Sequence, residues 1–173
     1  KNGFDTTLIS GPSSQIADDG INLIKVKTAE DMFRETISNL PVDVAVFSAA
    51  VSDWKMKKYS KDKIKKIDNI VINLEKNIDI LNNISNHNSL RPKLVIGFAA
   101  ETENVHSSAK KKLLDKNCDW IIANDVSDET IGFESNENAV TIFYKNEEKE
   151  DIKKTTKAHL ANQIVDRILN HLN

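Results

Sequence analysis

Two stretches, Val42–Val51 and Leu94–Ala99, are built almost entirely from small and branched apolar residues. A strand with one wet face would alternate polar and apolar positions; these do not, so they read as strands covered on both faces. Before and after them the apolar period is helical instead. Phe33, Ile37 and Leu40 fall at i, i+4 and i+7, and Leu160, Ile164, Ile168 and Leu172 recur every four residues. Strands alternating with helices predict an α/β fold with a doubly wound, mostly parallel sheet of the Rossmann-like kind.

The remaining elements fill in that frame. Thr7–Ile9 and Asn22–Val26 read as short strands, and Thr28 as the cap of a helix with Asp31 as its return partner, closed by Pro41. Ser52–Asn69 is polar and lysine-dense and reads as a loop or flap. Ile70–Leu74 predicts a strand, Ile78–Ile84 a short helix, Asn104 the cap of a helix running to about Asn117, and Trp120–Ala123 a strand. Ala139–Tyr144 and the stretch to Lys153, joined by a turn at Asn146, predict an antiparallel hairpin at the sheet edge before a last helix opened by Thr156.

Composition limits the function classes. Twenty-four Lys and Arg against 26 Asp and Glu leave a net charge of −2, so no nucleic-acid partner is expected through the overall field, and a polyanion site must be local. No apolar run has the ~18 residues of a membrane span, so no membrane partner is expected. The single Cys118 cannot form an internal disulfide, which fits a cytoplasmic protein, and reads as a packing residue. His87, His106, His159 and His171 are scattered without ligand spacing, so no metal ligand is assigned. Trp54 and Trp120 read as partial core.

Ligands of such sheets bind beyond the carboxyl ends of the strands, which directs attention to Ser48–Asp53, Phe98–Glu101 and Asn124–Ser127. Seven lysines follow the first of these: Lys55, Lys57, Lys58, Lys61, Lys63, Lys65 and Lys66. They read either as a solvated charge block or as a flap that a triphosphate or nucleic acid would neutralise. Lys112 and Lys116, four apart, share one helical face. With Lys110 and Lys111 they read equally as a solvent-facing stripe. No phosphate-loop or dinucleotide-binding glycine pattern occurs.

The motifs, taken in order, resemble one family. Ser48-Ala49-Ala50-Val51-Ser52-Asp53-Trp54 and Lys63-Ile64-Lys65-Lys66 are similar to the strand end and lysine flap of bacterial phosphopantothenoylcysteine synthetase, the synthetase half of a bifunctional coenzyme A biosynthesis flavoprotein. Lys76-Asn77-Ile78-Asp79-Ile80, Gly97-Phe98-Ala99-Ala100-Glu101-Thr102, Ala123-Asn124-Asp125-Val126 and Gly132-Phe133-Glu134-Ser135-Asn136 follow in family order, with Ile78 where the family has Pro.

The resemblance implies a ligase joining 4′-phosphopantothenate to L-cysteine, driven by CTP, or ATP in its place, with Mg²⁺ on the nucleotide. An acyl-cytidylate would be the intermediate. It places nucleotide contacts at Phe47, Ser48, Ala49, Asp53, Lys63, Ile78, Asp79, Ile80, Leu81, Phe98, Lys112 and Lys116. Lys63 is the catalytic candidate, and Lys65 and Lys66 are further phosphate contacts on the flap. Asn124 falls in a motif without an assigned role. The family's N-terminal glycine-rich β-α unit with its Asn-x-Ser-Ser-Gly motif is not in this sequence, and Asn2-Gly3 reads as the end of a helix. Residues 1–173 are therefore expected to be a synthetase domain lacking that unit and inactive alone, with no FMN bound, and the native protein a cytoplasmic homodimer. The alternatives are a catalytically silent nucleotide-binding relative and a nucleic-acid-binding module using the flap.

Overall fold

The protein is a mixed α/β structure, described here by a computed structural model covering residues 3–14, 16–57, 71–101, 104–125 and 135–173. The chain forms two compact units, Lys1–Leu40 with Ala49–Ile80, and Pro41–Ser48 with Leu81–Asn173.

The first unit opens with β1 (Thr7–Ser10) and β2 (Asn22–Lys25), a parallel pair with Leu8 beside Leu23 and Ile9 beside Ile24. Helix α1 (Ala29–Ser38) follows. Its start was legible: Thr28 Oγ1 accepts from the Asp31 amide at 3.0 Å, one of the orphan N–H groups of a first turn. The return contact differs in detail from a capping box, because the Thr28 hydroxyl also donates to the Asp31 carboxylate at 2.8 Å. That bond and Arg34 hold the Asp31 carboxyl below its usual pKa.

Trp54 onward departs from the expected loop. Trp54–Met56 forms β4 and pairs antiparallel with β5 (Leu74–Lys76), Trp54 facing Lys76 and Met56 facing Leu74. The Lys57 amide continues the ladder to the Asn73 carbonyl at 2.9 Å. Polar composition hid this strand because a short two-stranded stem has little apolar surface to bury; Trp54 itself is half exposed rather than core.

The second unit is a five-stranded sheet in the order β3-β6-β7-β8-β9. Its members are β3 (Val44–Phe47), β6 (Leu94–Glu101), β7 (Trp120–Asp125), β8 (Glu137–Tyr144) and β9 (Lys149–Thr156). The first three run parallel and the last two form the expected antiparallel edge hairpin. The Val42–Val51 run is not a central strand: only Val44–Phe47 is extended, and it lies at one end of this sheet with Val46 48% exposed. The small residues after Phe47 leave the ladder. The centre is β6 and β7, whose side chains are buried at Leu94–Ile96, Ala99 and Trp120–Ala123.

Period-two alternation divides those side chains between two faces. Leu94, Ile96, Trp120, Ile122, Val140 and Ile142 pack with Leu160, Ile164 and Ile168 of α4 (Lys157–Leu172). Val95, Ala99, Ile121, Ala123 and Phe143 pack with Ala109 and Leu113 of α3 (Val105–Lys116). Each fully buried Ile or Leu contributes roughly 1.5–3 kcal/mol, whereas an exposed pair such as Lys93–Asp43 is worth about 0–1, so the two apolar layers hold the sheet. Thr156 caps α4 through the His159 amide at 3.2 Å. Asn104 precedes α3 as expected but makes no side-chain cap bond; it sits in left-handed backbone at φ 51°, and its carbonyl accepts from Ser108.

At the amino end of β6 and β7, Arg91 joins the carbonyls of Ser85 and Asn117 to the Asp119 carboxylate, at 2.7, 3.2 and 2.9 Å. Asp119 in turn accepts from the Val95 amide at 2.7 Å. This clamp supports the strand ends opposite the candidate site.

Gly97 lets a short helix approach the sheet closely. A methyl group at this position would stand 2.6 Å from Leu81 Cδ2 and 2.9 Å from Ile121 Cδ1. The six-residue helix α2 (Ile80–Ser85) thus rests Leu81 directly on the β6 backbone. Gly97→Ala is expected to cost about 1–3 kcal/mol by overpacking, read as a lower urea midpoint with an unchanged slope; an unshifted midpoint would show that Leu81 yields freely.

Candidate nucleotide site

Strands β3, β6 and β7 run parallel, with Phe47 opposite Gly97, Ala99 opposite Ala123 and Ala100 opposite Asn124, so their carboxyl ends face the same way; β3 ends at the level of Gly97, whereas β6 and β7 continue to Glu101 and Asp125. Ser48, exposed, begins the run of small residues that follows β3. The Phe47 side chain packs on the α3 face beside the cluster that also takes Leu81, whereas the Phe98 side chain packs on the α4 face. Phe98 meets the α3 side through its backbone: Lys112 Nζ donates to the Phe98 carbonyl at 3.2 Å.

That contact separates the two helix lysines. Lys112 is half-buried and leans back along α3 toward the strand ends, the direction helical side chains favour. Lys116 lies one turn further on, in the last turn of α3, where its carbonyl accepts from Asn86 Nδ2 at 3.4 Å. An ammonium has three donors, and among the described residues the bond to the Phe98 carbonyl, which anchors Lys112, uses one of them. Cys118 is fully buried and burial pushes its thiol up to about 11, which suits packing and not a nucleophile.

The first unit carries the other sequence-predicted residues: Ala49, Asp53, Ile78, Asp79 and Ile80. It joins two motifs separated by more than twenty positions. The Asn77 amide donates to the Asp53 carbonyl at 2.8 Å, and Asn77 Nδ2 donates to the Ser52 carbonyl at 3.0 Å. Asn77 Oδ1 accepts from the Ile78 amide at 2.9 Å. Ala49 and Asp53 are exposed, Ile78 and Asp79 are half-buried, and Ile80 is buried. Lys63, Lys65 and Lys66 lie outside the described residues, as do Val126 and the Gly132-Phe133-Glu134 part of the last motif.

Two residues take on roles that their spacing did not signal. Asn77 stood inside a motif with no role, although an asparagine between a strand and a helix start is the usual signal of a side-chain-to-backbone turn. Lys55 was counted with the flap, yet its ammonium pairs with Glu30 and lies 3.7 Å from Glu75 Oε1. The Glu30 bond raises the Lys55 pKa, so this ammonium already has a carboxylate beside it.

Residues 1–172 match the family described as DNA/pantothenate metabolism flavoprotein C-terminal domain. The chain belongs to that family. The coenzyme A biosynthesis bifunctional protein CoaBC of Haemophilus influenzae is 38% identical over 171 residues, covering 98% of this chain. The chain spans 42% of the length of that relative. The crystal structure of a CoaBC C-terminal domain superposes with a TM-score of 0.77 at 33% identity, covering 97% of this chain and 74% of the other. A Cab2 H337A mutant complexed with phosphopantothenate-cysteine shares the fold at a TM-score of 0.57 and 15% identity, covering 78% of this chain and 47% of that one.

If the Lys112 ammonium serves an anion, Lys112→Met in the full-length protein weakens nucleoside triphosphate binding by about tenfold, read by calorimetric titration. Unchanged affinity would reduce Lys112 to a packing role.

Proposed function

We propose that this domain is the ligase portion of a coenzyme A biosynthesis protein, condensing 4′-phosphopantothenate with L-cysteine at the expense of a nucleoside triphosphate, CTP, or ATP in its place. The observation that carries the reading is the half-buried Lys112 ammonium bonded to the Phe98 carbonyl, one residue beyond the level at which β3 leaves the ladder with β6. Family membership and the likeness to CoaBC support the substrate class.

In this reading no protein nucleophile is needed. A carboxylate oxygen of phosphopantothenate attacks the α-phosphorus, the bond to the β-phosphate oxygen breaks, and pyrophosphate leaves. The cysteine amine, having lost its ammonium proton, then attacks the acyl carbon of the acyl-cytidylate and releases CMP. The work left to the protein is to hold two anions in line and offset their repulsion. Lys112 and Lys116 serve the phosphates from α3, Lys65 and Lys66 add charge from the flap, and Lys63 stabilises the charge that grows on the leaving pyrophosphate. Phe47, Ser48, Ala49, Asp53, Phe98 and the Ile78–Leu81 backbone frame the nucleotide.

Mg²⁺ fits as a companion of the substrate. Among the described residues no three His, Cys, Asp or Glu side chains converge on a common point. A hard cation with one or two carboxylates and phosphate oxygens is the usual arrangement for this ion, and Asp53 and Asp79 are the carboxylates among the proposed site residues. When bound, the ion withdraws charge from the phosphate oxygens. A cytoplasmic homodimer completes the proposal; among the described residues no helix is long and apolar enough to cross a membrane.

Full-length protein supplied with phosphopantothenate, CTP, Mg²⁺ and cysteine is expected to release pyrophosphate in step with amide formation. Lys63→Ala should lower kcat by about 10²–10³ while the protein still binds nucleotide. Absence of pyrophosphate with every nucleotide offered would overturn the reading.

A further inference from the structure

We infer that Asn77 is a positioning residue for the nucleotide site, its single side-chain amide tying the Ser52–Asp53 turn to the start of the Ile78–Ile80 segment. The inference rests on the proposed function, because it assigns Asn77 a task in that same site. One residue engages three backbone groups of two motifs: its N–H reaches the Asp53 carbonyl, Nδ2 the Ser52 carbonyl, and Oδ1 the Ile78 amide. The first bond extends the β4–β5 ladder by one step beyond the Trp54–Lys76 pair. Ser52 Oγ meanwhile donates to the Trp54 carbonyl at 2.8 Å, so the turn is braced from both sides.

The chemistry of the side chain explains why an amide stands here. The position needs a donor and an acceptor on one short stem. Aspartate would set a carboxylate oxygen against the Ser52 carbonyl, and alanine would leave Ser52 and Ile78 without these partners. Both polar atoms of the Asn77 amide bond backbone, so the role inferred for Asn77 is to act through Asp53 and Ile78. The same stem leads by chain connectivity to segment 58–70, which contains Lys63. Loosening its root would lower the fraction of molecules whose Asp53 and Ile78–Ile80 groups are arranged for nucleotide. Apparent affinity falls in proportion to that fraction.

The test uses full-length protein and the Asn77→Ala and Asn77→Asp variants, with nucleotide and cysteine varied separately. Nucleotide KM is expected to rise about tenfold in both, with cysteine KM unchanged and kcat at saturating nucleotide within about threefold of wild type. Unchanged nucleotide KM in folded variants, or a fall in kcat that merely tracks loss of folded protein, would overturn the inference. Amide exchange in unsubstituted protein supplies a readout independent of the variants: the Ile78 N–H should be protected before nucleotide is added, and exchange at the rate of an open loop would overturn the pinned geometry. A wild type that binds no nucleotide at all removes the functional reading and this inference together, whereas normal wild-type turnover with indifferent variants removes this inference alone.

Discussion

A sheet covered on both faces has no interior place for an unpaired polar group, because burying one without a partner costs several kcal/mol in an apolar layer. Strands β6 and β7 obey this limit: Leu94, Val95 and Ile96 on one, and Ile121, Ile122 and Ala123 on the other, are buried almost completely. Charge and hydrogen-bonding capacity are therefore pushed to the strand ends. The amino ends receive the Arg91–Asp119 clamp, which spends its polar atoms on backbone. The carboxyl-side half of β6 receives Lys112, which donates to the Phe98 carbonyl.

The two ends differ in what they ask of the chain. A structural clamp is satisfied internally, and Asp119 and Arg91 answer one another through two oxygens and a shared set of carbonyls. A site for anions must instead hold cations in place without fully satisfying them. Among the described residues Lys112 bonds a neutral carbonyl, whereas Lys55 pairs with the Glu30 carboxylate. Density of positive charge in a sequence is thus a weaker indicator of an anion site than the acceptors that the fold brings to each ammonium.

Much of the frame was legible because periodicity and caps are local. The helix begun by Thr28 and the one begun by Thr156 follow from a hydroxyl placed to accept from the first turn. The hairpin of β8 and β9 follows from its turn at Asn146 and the apolar alternation before it. The misplacements arose where pairing partners decide. Val42–Val51 looked like a central strand since its residues are small and branched, but centrality is a property of what pairs on both sides. Trp54–Met56 looked like loop because its partner, Leu74–Lys76, lies beyond a lysine-rich stretch. Asn104 was placed correctly before α3, yet its left-handed backbone turns the side chain away from the cap bond that its residue type suggests.

Amino-acid order alone determined the α/β class, the apolar layers, the family resemblance and the residue types gathered for phosphate chemistry, since each is written in local spacing or in contiguous motifs. Only the folded chain decided that Lys112 bonds the Phe98 carbonyl, that Lys55 pairs with Glu30, and that Asn77 joins two distant motifs. Those outcomes depend on distances between residues far apart in sequence, and a hydrogen bond exists only within about 3 Å, a scale that no spacing along a chain can fix.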